Sequence, residues 1–284
     1  MDYLIHLGIF IGIYSILGLS LNLLVGFASL ISVTHAAFYG LGAYTAALLM
    51  VEGGVNFFLA LPAAMLLAML ASVLIGLVLS RFRSDYYVLA SFGFNVIIFS
   101  LFLNLQSVTR GPLGIPGIPR PDFFSSNFSF LFLTLAFCLL TYLMARWLTT
   151  SSFGRVLKAI RDDEGAIAVF GYRTVHYKLL IFIIAAGLAA LAGALYGSYI
   201  TFIDPSTFNL PESIFILAII ILGGLANLRG SLLGAACLVL LPELLRFVGF
   251  PSDIAAQMRQ VVYGLLLVVL MLYRPQGLVG EYKL

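Results

Sequence analysis

Three adjacent carboxylates, Asp162, Asp163 and Glu164, sit among five cations, Arg155, Lys158, Arg161, Arg173 and Lys178, in the segment SSFGRVLKAIRDDEGAIAVFGYRTVHYK at 151–178. Charges of both signs at this density suit ion pairing with a second surface in water. The apolar residues between them (Val156, Leu157, Ile160, Ile167, Val169, Phe170) recur with a roughly helical period, so two short helices broken near Gly165 fit the pattern. Such a unit either seats in a groove on a cytosolic partner or remains a solvated loop; the spacing fits both.

Other chemistries find little support. No G-x-x-x-x-G-K-[ST] run occurs, so the chain has no phosphate-binding loop of its own. His6, His35 and His176 lie far apart and do not have the spacing of a metal site. No Ser/His/Asp or Cys/His arrangement stands out, and Cys138 and Cys237 lie inside apolar runs, as small buried thiols do. The chain is therefore not expected to be an enzyme. Glu243 and Arg246 are the ionisable pair expected inside a span, three apart on one helix face. A scarcity of intramembrane carboxylates argues that the driving energy arrives from outside the membrane region.

The elements that must hold these residues are membrane helices. Of 284 residues, 62% are hydrophobic and 10% charged, against about 25% charged in a soluble domain. Apolar runs long enough to cross a bilayer recur throughout. Candidate spans are 3–25, 34–51, 57–80, 86–106, 128–149, 178–202, 212–225, 231–249 and 259–273, the seventh short and the second interrupted at its start. The expected fold is all-α: a polytopic integral membrane helical bundle of about 8–10 transmembrane helices, forming a single membrane domain over 1–284. The net charge of +3 is confined to membrane edges and gives no reason to expect nucleic acid. Alternate loops carry Arg81, Arg83, Arg146, Arg155, Lys158, Arg161, Arg173, Lys178, Arg229, Arg274 and Lys283, eleven of the fifteen cations. By the positive-inside rule, 151–178 and the C-terminal end are cytoplasmic, 107–127 is external, and nine spans put the N-terminal end outside.

Small residues mark close packing. Ala185, Ala189, Gly193 and Gly197 recur every fourth residue, as do Gly230 and Gly234. Membrane helices associate through such positions, so these are assigned to the core, with a subunit interface as the alternative. The glycine-rich segments 26–47 and 222–234 lie in opposite halves, a pointer to repeat architecture around a midplane pathway. In the external loop, Arg110, Gly111, Pro112, Gly114, Pro116, Gly117 and Pro119 predict a series of fixed turns rather than helix or strand.

The segment at 151–178 also resembles the coupling loop of bacterial ABC importer permeases, a Glu-Ala-Ala stretch followed by glycine. Glu164, Ala166, Ala168 and Gly171 match it, with Gly165 where alanine is expected. More specifically, the chain resembles permease subunits of the branched-chain amino acid importers, of the type called LivM. Five ordered blocks carry the resemblance: LNLLVGFASLISVTHAAFYGLGAYTAALL (21–49), TRGPLGIPGIP (109–119), FGRVLKAIRDDEGAIAVFGYRTVHYK (153–178), ILGGLANLRGSLLGA (221–235) and LYRPQGLVG (272–280). Arg110 departs from a usual glycine, and Ser29 and the Ser32-Val33-Thr34 run replace a usual glycine and Ser-Leu-Gly. Both departures fall in regions open to substrate.

The resemblance implies an importer subunit in a bacterial or archaeal cytoplasmic membrane, working by alternating access. It implies a second, related permease subunit, two cytosolic ATPases that bind the ATP, and a periplasmic or lipid-anchored substrate-binding protein; no cofactor is expected in this chain. Arg155, Lys158, Arg161, Asp162, Asp163, Glu164 and Gly171 are the expected ATPase contacts. Arg110, Gly111, Pro112 and Gly114 face the binding protein or frame the pore mouth. A branched-chain or other neutral amino acid needs polar partners at its two charged ends, and Asn22, Ser32, Thr34, His35, Tyr44 and Asn95 are the uncharged partners available. For each of these, helix packing is the alternative role. An importer of the same family for urea, short amides or another small carboxylate compound fits the same blocks. A secondary transporter or channel is the rival from another class.

Overall fold

A computed structural model describes residues 2–82, 85–247 (side chains through 241), 264, 265, 268 and 276–279. Within them the chain is a helical bundle. The long helices are α1 (Asp2–Ala28), α3 (Phe57–Leu79), α4 (Asp85–Asn104), α6 (Asn127–Thr150) and α9 (Thr174–Ile200), each long and apolar enough to cross a membrane. Between them lie α2 (His35–Val51), the short α5 (Gln106–Thr109), and α7 (Ser152–Asp162) with α8 (Glu164–Val169). After α9 come α10 (Leu210–Gly223) and α11 (Leu228–Phe247). These elements follow the expected spans closely. The last expected span, 259–273, lies almost wholly outside the described residues, and the side chains of Glu243 and Arg246 lie outside them too.

Two sets of contacts define the two ends of the bundle. At one end Arg161 of α7 donates to the Gly26 carbonyl of α1 (3.2 Å), and the 276–279 turn is tied to the last residues of α10 through Leu278 N–H to the Leu222 carbonyl (2.8 Å). At the other end β1 (Ile115–Pro116) pairs antiparallel with β2 (Phe202–Ile203), and Arg120 donates to the Tyr199 carbonyl (2.8 Å). The first end carries Arg155, Lys158, Arg161, Arg173 and Lys178 and is the cation-rich end. The chain runs toward it along α1 and away from it along α9.

Two helices are too short to cross a core of about 30 Å: α2 has 17 residues and α10 has 14, which at 1.5 Å per residue is about 25 and 21 Å. Both are preceded by irregular chain. After α1 the backbone turns at Ser29, a non-glycine residue at positive φ (54°), and climbs as residues 29–34 before α2 begins at His35. After α9 it turns at Thr201 (φ 62°) and descends through 201–209 before α10 begins. The first unit starts at the end opposite the cation-rich one, and its short helix runs back toward that opposite end. The second starts at the cation-rich end, and its short helix runs back toward it. They are the same plan with inverted topology. The pairing is 29–34 with 201–209, whereas glycine content pairs 26–47 with 222–234; the latter glycines serve the tight α10–α11 turn.

Small residues hold the two units together. A Cβ at Gly193 of α9 would collide with the Tyr39 carbonyl of α2, and one at Gly42 of α2 with the Ala190 backbone of α9. Ala185, Ala189, Gly193 and Gly197 are all buried within the chain, so this stripe belongs to internal packing rather than to a subunit interface.

Candidate functional site

The N-terminus of α2 opens inside the bundle and is satisfied by side chains from other helices. Asn95 of α4 donates through Nδ2 to the Val33 carbonyl (2.8 Å) and to Ser213 Oγ of α10 (2.9 Å). The Ala36 N–H donates to Ser213 Oγ (3.0 Å), and the Val33 N–H to Ser91 Oγ of α4 (3.1 Å). Ser32 and Thr34 share a hydroxyl hydrogen bond (2.8 Å), and His35 Nε2 meets Ser20 Oγ of α1 (2.7 Å). The starts of both short helices therefore meet at one uncharged polar hub. Its polar side chains belong to residues at most 1% exposed. Two atoms in it are buried without a hydrogen-bond partner among the described residues, Asn95 Oδ1 and His35 Nδ1. An unsatisfied polar atom in a hydrocarbon setting costs free energy, so such atoms mark places prepared for water or a ligand.

Of the six polar residues expected along the pathway, Ser32, Thr34, His35 and Asn95 gather in this hub. Asn22 and Tyr44 do not. Asn22 accepts from the Ala226 N–H (3.0 Å) and donates to the Asn227 carbonyl (3.0 Å) and Ser231 Oγ (2.7 Å), clamping the α10–α11 turn to α1. Tyr44 lies further along α2, its ring 4.6 Å from Phe102 and 5.8 Å from Phe208. Sequence reading passed over Ser20, Ser91 and Ser213, because a lone serine in an apolar run carries no periodic signal.

It also passed over Glu212. Asn209-Leu210-Pro211-Glu212 is a helix start: Asn209 Oδ1 accepts from the Glu212 N–H (3.2 Å), and Pro211 opens the first turn. The Glu212 side chain does not fold back on that cap. It accepts a hydrogen bond from the Tyr14 hydroxyl of α1 (2.8 Å). Tyr14 is about 18 Å along α1, near the middle of the bundle. The expectation that Glu243 and Arg246 are the intramembrane ionisable pair is thus incomplete, since a carboxylate sits at mid-depth.

The 151–178 element is two helices, as expected, with the break at Asp163, two residues before Gly165. Asp163 Oδ1 caps α8 by accepting from the Ala166 N–H (3.0 Å), and Gly165 lies within the first turn. Glu164 pairs with Lys178 and accepts from Thr174 Oγ1 (3.0 Å), fastening α8 to α9. Arg161 bridges Asp162 (3.1 Å) and the end of α1; Lys158 Nζ stands 5.5 Å from the Phe27 ring centroid; Arg155 donates to Ser152 Oγ (2.7 Å). Much of the charge is therefore spent inside the chain. Beside the exposed charges of Lys158, Asp162, Asp163 and Arg173, an apolar tip faces outward: Val169 and Phe170, 87% and 78% exposed, next to Gly171 at positive φ (86°). Between this element and the 29–34 segment lies a cleft of about 350 Å³ lined by Ser29, Ile31, Asp85, Ile160, Arg161 and Lys178.

The 107–127 loop is mostly turns, with the four-residue α5 and the two-residue β1 as short pieces of the helix and strand that were not expected there. Arg110 and Gly111 both take positive φ (59° and 54°), and Gly114 does so at 68°. Pro112 opens a single 3₁₀ turn. Arg110 is exposed and stands 3.9 Å from Glu52, so its carboxylate neighbour is within this chain.

Comparison with known proteins gives one family. Residues 3–271 match the family described as branched-chain amino acid transport system / permease component. The chain is 35% identical over 293 residues to the high-affinity branched-chain amino acid transport system permease protein LivM of Escherichia coli K12, covering 94% of this chain and 67% of that protein. It is 29% identical over 183 residues to the probable branched-chain amino acid transport permease protein LivM of Methanocaldococcus jannaschii, covering 59% and 53%. It is also 25% identical over 290 residues to the LivH permease protein of Salmonella typhimurium, covering 94% and 91%. No solved structure matches.

Proposed function

Since the chain belongs to the family of branched-chain amino acid transport permease components, we propose that it forms half of the membrane pathway of an ATP-driven importer for branched-chain or other neutral amino acids. The observation that carries this reading is the linkage from the cytoplasmic tip to the hub. The α7–α8 element is fastened to α9 by Glu164–Lys178 and to the end of α1 by Arg161. The next residues of α1 lead through the turn at Ser29 into 29–34, whose far end is the polar hub. A push or pull on the tip by a cytosolic ATPase acts directly on 29–34, one of the two irregular segments that lead into the short helices. Such discontinuous segments are where transporters change access.

In this reading Val169 and Phe170 seat in the ATPase, and the ion pairs behind them make the lever rigid. A second, related permease subunit completes the pathway, and a binding protein outside delivers the substrate against the 107–127 loop. The system belongs in a bacterial or archaeal cytoplasmic membrane. ATP acts on the partner chains.

Glu212 favours the rival reading, a secondary transporter, because intramembrane carboxylates serve ion coupling in such proteins. Uptake by proteoliposomes separates the two. The chain reconstituted with its permease partner, ATPases and binding protein should accumulate leucine only with ATP, and the chain alone should accumulate none. Uptake by the isolated chain driven by a proton or sodium gradient would replace the importer reading with the rival. Urea or amide uptake without leucine uptake would keep the mechanism and change the substrate.

A further inference from the structure

Glu212 carries an inference beyond family membership. Its partners are a phenol, Tyr14, and its own helix start; the ion pairs of the described residues join Arg110 to Glu52, Arg161 to Asp162 and Lys178 to Glu164. No Lys, Arg or His among the described residues lies within ion-pair distance of it. A carboxylate at membrane mid-depth without a counter-charge is costly, and the dipole of a helix start offsets a fraction of that cost.

Its surroundings are built for an organic cation. Tyr3, His6, Phe10 and Tyr14 are spaced by three and four residues, so they share one face of α1. That face is left partly uncovered: Tyr3 and His6 are exposed, Phe10 and Tyr14 half-buried. The stripe runs from the external end down to Glu212. At its foot the Tyr14 ring meets Phe215 at 5.1 Å, edge to face, and Phe10 lies 6.2 Å from Tyr196. Tyr196, Glu212 and Phe215 are half-buried in turn. Behind them the Tyr39 hydroxyl is fully buried and has no hydrogen-bond partner among the described residues; its ring is 5.5 Å from Tyr196. Ser213, the next residue along α10, points the other way into the closed hub. The first turn of α10 therefore has a sealed side and an open side, and the charge is on the open one.

We propose that Glu212, with the ring faces of Phe10, Tyr14 and Tyr196, is a binding site for the α-ammonium group of the transported amino acid. The carboxylate supplies the counter-charge, and the aromatic faces attract the cation along the descent from the external end. Apolar surface from Phe10 and Phe215 beside it suits a branched aliphatic side chain. This rests on the reading of the chain as half of an amino acid pathway, in which the uncovered stripe faces the second subunit.

The test is protection of Glu212 from dicyclohexylcarbodiimide in the assembled transporter, read by peptide mass spectrometry. Leucine and 3-methylbutylamine, which keep the ammonium, should slow modification; 4-methylpentanoate, which keeps the carboxylate instead, should not. Protection by none of them, or by 4-methylpentanoate alone, overturns the proposal. In proteoliposomes Glu212→Gln should lower leucine uptake about tenfold or more, with ATPase co-purification unchanged and partial recovery in Glu212→Asp. Normal uptake by Glu212→Gln overturns it, as does loss of assembly in both variants, which would make the carboxylate structural. Protection by the amine reports on the site, and ATP dependence of wild-type uptake reports on the importer, so either can fail alone.

Discussion

Asn22 and Asn95 are the same residue type, both buried in membrane helices, and their surroundings give them different work. All of Asn22's polar atoms are engaged: its amide binds the α10–α11 turn at three points. Asn95 joins the two helix starts and leaves Oδ1 unused. Asn22→Ala should cost about 1–3 kcal/mol of stability per buried partner left unpaired, seen as a lower melting temperature in detergent. Transport by the surviving folded fraction should keep its preference among leucine, isoleucine and valine. Asn95→Ala should lower both stability and uptake per folded molecule, since it disturbs the segment that changes access. A preference shift in Asn22→Ala would put that residue on the pathway after all.

At the scale of elements, the cytoplasmic helices combine a rigid charged base with an apolar tip. Replacing Val169 and Phe170 by Asp and Ala should abolish co-purification of the ATPases while membrane insertion and melting temperature stay near wild type, because these side chains touch little of their own chain. Glu164→Lys acts at the base, beside Lys178, and should uncouple: ATP hydrolysis persists and uptake falls. A variant at Glu164 with normal uptake would remove it from the lever. The α2–α9 contact is less tolerant. Gly193→Leu has no room against the Tyr39 carbonyl and should cost about 3 kcal/mol or more, read as failure to accumulate folded protein in the membrane.

For the molecule as a whole, inverted topology gives two short helices that start near mid-depth and run to opposite faces. The two faces are chemically distinct. A single cysteine at Gly171 should react with an impermeant maleimide only in inside-out vesicles, and one at Gly117 only in right-side-out vesicles. Labelling of both from the same side would reverse the assignment of the bundle ends.

The limits of the helices within the described residues and the helical pair at 151–178 were legible in the sequence. Hydrophobic length, positive charge and helical period are local properties, and a bilayer acts on each segment separately. The five sequence blocks also sufficed for the family. What the tertiary structure decided was partnership. Ser32, Thr34, His35 and Asn95 meet because the irregular segment 29–34 runs to the middle of α4, where Asn95 also reaches Ser213 of α10, 118 residues on. Asn22 looks equivalent in sequence and is elsewhere. Glu164 and Arg161 read as outward charges and are spent on Lys178 and Gly26. Glu212, which sequence reading passed over, is a mid-depth carboxylate on an open aromatic face. Pairing energy depends on which side chains share a place and how much water they keep, and neither is encoded in the spacing of residues along one helix.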